Sequence, residues 1–203
     1  MITRKIISIL LLSLLFLSLF ACNSKDSDEE SDTKDVQPSI KLLSDIIINE
    51  DLGISYQVPL KWELMSAELS DRLVARLDSD NFDGNFIVYK PNAFYFNSDI
   101  SSLLRVGSIT KSEKSSDMKL TIDNYIELYQ KFNANKNFSR EKIHTNTLVI
   151  TQLIIEKANL ISFKNILMNK QNKIIQFDFS LKKEDYEKEK EVINSALASI
   201  KIL

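Results

Sequence analysis

Apolar and polar positions alternate through most of the chain beyond residue 44, and two stretches replace that alternation with helical spacing. Alternation sends successive side chains to opposite faces and marks half-buried strands. Residues 46–48 and 54–58 read as two strands joined by a turn at Asp51-Leu52-Gly53, the second ending at Pro59, which has no N–H for a ladder. Residues 63–76 fit a short helix or another strand, because Leu64, Leu69, Leu73 and Val74 match neither period. Residues 78–84 read as a turn-rich loop. Strands are predicted over 85–89 and 93–96, interrupted by Pro91, and over 103–109. Ile122, Tyr125, Ile126, Tyr129 and Phe132 recur at helical spacing and predict a helix over 122–135. Thr121 is its expected N-cap, with Leu120 and Tyr125 as a hydrophobic staple. Strand patterns follow at 138–144, 148–155, 160–168 and 173–181, the last two joined by a turn at 169–172. Tyr186, Ile193, Leu197 and Ile200 then form the stripe of a closing helix over 183–199, and the alternating Lys and Glu of 182–191 its solvated face. Strands in series with a few helices predict an α+β fold, an antiparallel β-sheet flanked by helices.

The chain begins differently. Arg4 and Lys5 precede an apolar run over residues 6–20, the length of a signal-peptide core and short for a membrane span. It ends in Leu19-Phe20-Ala21-Cys22, which contains the only cysteine of the 203 residues. The pattern resembles a bacterial lipobox. It implies cleavage between Ala21 and Cys22, acylation of Cys22, and a protein held on a membrane by several acyl chains, where one alone holds only marginally. With its thiol spent on lipid, the mature domain has no disulfide, cysteine nucleophile or cysteine-based metal site.

Residues 23–37 hold six acids, two bases and almost nothing apolar, a composition unable to repay its ordering entropy. They read as a flexible tether. The expected organisation is a signal peptide at 1–21, lipidated cysteine and tether at 22–37, and one globular domain at 38–203. Setting aside Arg4, Lys5 and the tether's charges leaves 22 bases and 22 acids in the domain. A near-neutral domain lacks the basic bias of a nucleic-acid binder.

Leu52-Gly-Ile-Ser-Tyr-Gln-Val-Pro-Leu-Lys-Trp62 resembles the glycine–strand–proline–x–x–tryptophan opening of PsbP-like domains. Lys173-Ile-Ile-Gln-Phe-Asp-Phe179, Tyr186 and the closing Ser199-Ile-Lys-Ile202 are similar to the family's end, and the helix near Tyr125 falls where the family places one. The resemblance spans roughly residues 44–203 and rests on core and turn residues. It implies an α-β-α sandwich and, since most members assist larger assemblies, a non-enzymatic binding role. Members include the extrinsic photosystem II protein, a nuclear-transport factor that binds a small GTPase, and small bacterial envelope lipoproteins. This chain departs from the plant members in its acyl anchor.

Candidate chemistry is sparse. His144, the only histidine, sits at a strand edge with no Gly-x-Ser-x-Gly elbow anywhere, and reads as a partly exposed turn residue. Three glycines make no phosphate-binding loop. Asp78, Asp80 and Asp83 miss the calcium-loop spacing, with Phe82 at the fifth position and Gly84 one place late. No catalytic residue, metal or cofactor is expected. The dense aromatic segment Phe82, Phe86, Tyr89, Phe94, Tyr95 and Phe96 is expected to turn Phe94 and Phe96 one way, and Tyr95 with Tyr89 the other, as a possible partner surface.

The expectation is a lipid-anchored, non-catalytic envelope protein that binds a protein partner in a membrane or envelope complex. The alternative is a surface-exposed lipoprotein that binds an extracellular or host ligand, and weak likeness of the acidic tether to surface-directing segments points that way. Asn23 after the cysteine favours the outer membrane over the inner where the enterobacterial sorting rule holds.

Overall fold

A computed structural model of the chain describes residues 33–79, 87–112, 119–132 and 138–203, all within one unit, Asp32–Leu203. In chain order these residues form β1 (Thr33–Asp35), a 3-10 turn (Ile40–Leu42), β2 (Ile47–Asn49), β3 (Ile54–Tyr56), β4 (Glu63–Leu64), α1 (Ala67–Ser79), β5 (Ile87–Asn97) and β6 (Ser102–Lys111). There follow α2 (Ile122–Phe132), β7 (Phe138–His144), β8 (Val149–Lys157), β9 (Leu160–Met168), β10 (Ile174–Lys182), α3 (Lys183–Ala198) and β11 (Lys201–Ile202). The α+β class predicted from the sequence is the one observed.

Eight strands make the main sheet in the order β1-β7-β8-β9-β10-β6-β5-β4, antiparallel except for β1, which runs parallel to β7 at one edge. A second, three-stranded sheet has the order β11-β3-β2. The β9–β10 turn suits its sequence: Asn172 takes a positive φ of 58°, a conformation Asn tolerates, and its N–H reaches the Asn169 carbonyl.

Both faces of the main sheet are covered. On one, Ile175, Phe177, Phe179 and Leu181 of β10 join Phe163, Trp62 and Tyr56 in a core closed by α3 and the small sheet. Tyr186 of α3 stacks near Phe163, with centroids 4.9 Å apart, and Trp62 meets Phe179 edge-on at 5.6 Å. On the other face, Tyr125, Ile126 and Tyr129 of α2 cover Ile109, Leu153, Ile166 and Ile174. The Thr121 Oγ1 cap accepts the Asn124 N–H at 3.1 Å, and Leu120 packs in the same cluster as Tyr125, as predicted. Such a cap is worth about 1 kcal/mol.

Four expectations change. The domain starts before Pro38: Thr33–Asp35 pair with Lys142–His144 and Val36 is buried, so the end of the segment read as tether is part of the fold. Three residues are too few to announce a strand by alternation, and β7 supplies the partner. The stretch after Trp62 that fits either period contains both a two-residue strand and a helix, and that helix includes Asp78 and Ser79 of the predicted loop. The two strands predicted around Pro91 are one bulged strand, with the register shifting between Pro91 and Ala93 opposite Gly107. Beyond the one sheet predicted there is a second, built from β2, β3 and the closing β11. Asp80, Phe82, Asp83, Gly84 and Phe86, and the last turn expected of α2, lie outside the described residues.

Candidate functional site

The bulge decides the fate of the aromatic segment. Inserting one residue into a strand reverses the alternation beyond it. Tyr89 therefore joins the α2-side cluster, whereas Ala93 and Tyr95 face the opposite core. Tyr95 is 5% exposed, and its hydroxyl lies 2.9 Å from that of Tyr56. Phe94 is buried as well, and Phe96 is the exposed member of the set. The expected shared surface of Tyr89 and Tyr95 is thus absent, since the two rings lie on opposite sides of a sheet covered on both faces.

The α2-side face carries a polar cluster that the sequence pattern did not reveal. Register sets Arg105 of β6, Asp178 of β10 and Lys164 of β9 side by side across three strands. Asp178 is 2% exposed, and its Oδ2 accepts from Arg105 Nη2 at 2.8 Å, Lys164 Nζ at 3.0 Å and Gln176 Nε2 at 3.0 Å. Tyr125 of α2 donates to Gln176 Oε1 at 2.6 Å, and Lys164 Nζ stands 5.4 Å from the Tyr129 ring centroid. A chain of polar contacts therefore fastens α2 to the sheet. Tyr89 extends its ring across Gly107, where a Cβ would meet Tyr89 Cε2 at 2.9 Å and collide with the Lys90 carbonyl oxygen. Only glycine leaves that space.

Burial dominates the electrostatics here. It raises the Tyr89 and Tyr125 hydroxyls well above their ordinary pKa, with the Asp178 charge adding to the effect. Tyr129 is pushed up to about 12 for the same two reasons. Burial works against the Arg105 guanidinium, but the charge of Asp178 and the neighbouring tyrosines hold its pKa above the usual value. The tyrosines thus remain protonated at neutral pH and act as hydrogen-bond donors. Among the described residues, Asp178 Oδ1, Arg105 Nε and the Tyr89 hydroxyl are enclosed without a hydrogen-bond partner.

His144 ends β7, half-buried, opposite Asp35 and Val149. Among the described residues no three His, Cys, Asp or Glu side chains converge as metal ligands, and no helix is long and apolar enough to cross a membrane. An open groove of about 380 Å³ runs between the segment after β1 and α3, lined by Asp35, Gln37, Ser39, Glu187, Lys190 and Glu191. Cys22 and Ala21 lie outside the described residues.

The surface offers one further feature. Residues 40–49 run antiparallel to 54–60, joined by the β2–β3 pairing, the Leu43–Pro59 bridge, Ser44 N–H to Val58 O at 2.8 Å and Leu60 N–H to Leu42 O at 3.0 Å. Leu43, Ile54, Tyr56 and Val58 are buried in the core. Ile40, Ile46, Ile48 and Leu60 stand out from the same ribbon, 71%, 64%, 65% and 62% exposed.

No protein-family model and no curated protein matches the sequence. Among solved structures, the chain is similar to the solution structure of cyanobacterial PsbP (CyanoP) from Synechocystis sp. PCC 6803. The two share 14% identity and a TM-score of 0.52, over 78% of this chain and 92% of that one. At such identity the likeness establishes architecture alone, and the architecture of this chain is PsbP-like.

Proposed function

We propose that this protein is a lipid-anchored bacterial envelope lipoprotein whose single PsbP-like domain works by binding, as an accessory factor to a membrane or envelope complex. The observation that carries the reading is Leu19-Phe20-Ala21-Cys22, with the sole cysteine placed at the end of a basic, then apolar leader. Cleavage after Ala21 makes Cys22 the first residue of the mature chain. Ten residues, 23–32, then separate it from the start of β1. The PsbP-like fold supports a binding role only by analogy, because folds host many functions.

Metabolic labelling with a fatty-acid analogue and membrane fractionation test the anchor. The wild-type chain is expected to label and to sediment with membranes, and Cys22→Ser to do neither. A Cys22→Ser protein still held on membranes overturns the anchor. The acidic residues of 26–32 favour a second reading, a protein displayed on the cell surface to bind an extracellular or host ligand. Protease treatment of intact cells separates the two, removing a surface domain and sparing a periplasmic one.

A further inference from the structure

The outer side of the ribbon formed by residues 40–49 and 54–60 has no partner among the described residues. We propose that Ile40, Ile46, Ile48 and Leu60 form a surface on which the domain rests against the bilayer, their aliphatic tips entering the interfacial region. The inference rests on the lipid anchor proposed above.

Three features point to a membrane as the occupant. The first is chain length. Residues 23–32 reach at most roughly 35 Å when fully extended, and Ile40 lies only seven residues beyond Thr33. An acylated Cys22 therefore confines the domain to within roughly 35 Å of the bilayer, and a tethered group needs little intrinsic affinity to stay bound. The second is composition. The four exposed side chains are aliphatic, and the ribbon's outward positions bring no exposed Arg, one of the residues that dominate protein–protein hot spots. Branched aliphatic tips suit a medium that rewards apolar area without demanding shape. The third is charge. Lys41, Asp45, Glu50 and Asp51 belong to or flank the ribbon in sequence, Lys201 pairs with Ser55, Lys173 donates to the Asp51 carbonyl, and Lys61 is itself paired with Asp99 at 3.0 Å. That balance predicts binding through apolar contact, without a requirement for anionic lipid.

The test uses the full, acylated chain with one added cysteine, Ile48→Cys or Leu60→Cys, and Leu160→Cys, exposed on β9 outside the ribbon, as a control. Since acylation occupies Cys22, only the added thiol takes an environment-sensitive nitrobenzoxadiazole probe. Mass measurement of the N-terminal peptide verifies the lipid, and circular dichroism verifies folding. In phosphatidylcholine vesicles, a blue shift and increased emission are expected at positions 48 and 60 and not at 160. The result should not change when phosphatidylglycerol or salt is added. Unshifted probes at 48 and 60 on an acylated chain overturn the resting surface and leave the anchor standing. An unacylated Cys22 in the mass spectrum overturns the anchor itself. A shift that vanishes on dilution into excess vesicles identifies a second copy as the occupant, and a shift that requires anionic lipid identifies electrostatic attachment; either result overturns the proposal.

Discussion

Removing the Asp178 carboxylate should be among the most damaging single changes in the domain. Asp178→Ala deletes three hydrogen bonds, two of them within ion pairs, and leaves Arg105 and Lys164 as neighbouring cations. Their side chains are 19% and 13% exposed, so water replaces little of what is lost. Breaking a buried ion pair from one side costs about 3–5 kcal/mol. With a urea slope of about 2 kcal/mol per molar, the unfolding midpoint should fall by about 1.5–2.5 M. Trp62, the only tryptophan, reports unfolding by fluorescence from its buried site against Phe179. Asp99→Ala is the comparison, because it breaks the exposed Lys61–Asp99 pair, of a kind worth roughly 0–1 kcal/mol. If the midpoint of Asp178→Ala falls no further than that of Asp99→Ala, the cluster does not hold α2 as described. Replacing all three charges together, Arg105→Met, Lys164→Met and Asp178→Leu, should recover most of the loss, since no uncompensated charge is left behind.

Three more outcomes follow from the packing. All six tyrosines have raised pKa values, chiefly through burial, so the folded state binds their protons more tightly than the unfolded state does. That stability is fully present below about pH 10 and is lost as pH rises towards the folded values. Absorbance at the tyrosinate band should therefore rise above pH 10 together with loss of circular dichroism; a full tyrosinate signal in a still-folded protein contradicts it. Gly107→Ala drives a methyl into the Lys90 carbonyl and the Pro91 Cα, and should cost about 1–3 kcal/mol, visible as a lower melting temperature. Unchanged melting would show that the bulge yields freely. Tyr56→Phe alone should cost about 1–3 kcal/mol by orphaning the buried Tyr95 hydroxyl, while adding Tyr95→Phe should cost less than the sum of the single changes, a non-additivity that a double-mutant cycle measures directly.

Local pattern was enough for much of the architecture. Alternation in Ile175, Phe177 and Phe179, helical spacing from Ile122 to Tyr129, the Thr121 cap and the Asn169–Asn172 turn depend on neighbours close in sequence, and each stands where it was read. Alternation can also mislead. In β10 it separates an apolar set from Gln176 and Asp178, and such polar residues ordinarily face water. Here α2 covers them, and both are buried. No period in the sequence distinguishes a solvated polar face from one roofed by a helix about fifty residues away. For the same reason Arg105, Lys164 and Asp178, widely separated in the chain, meet only through register.

By itself, the amino-acid sequence determined the strand and helix periods, the near-neutral charge of residues 38–203 and the basic, then apolar run that ends in Leu19-Phe20-Ala21-Cys22, because each is a property of consecutive residues. Only the tertiary structure decided that Thr33–Asp35 belong to the sheet, that a bulge opposite Gly107 sends Tyr89 and Tyr95 to opposite cores, and that Ile40, Ile46, Ile48 and Leu60 are left exposed. Those outcomes depend on which distant segments pair and in what register, and hydrophobicity along a single strand does not encode its partner.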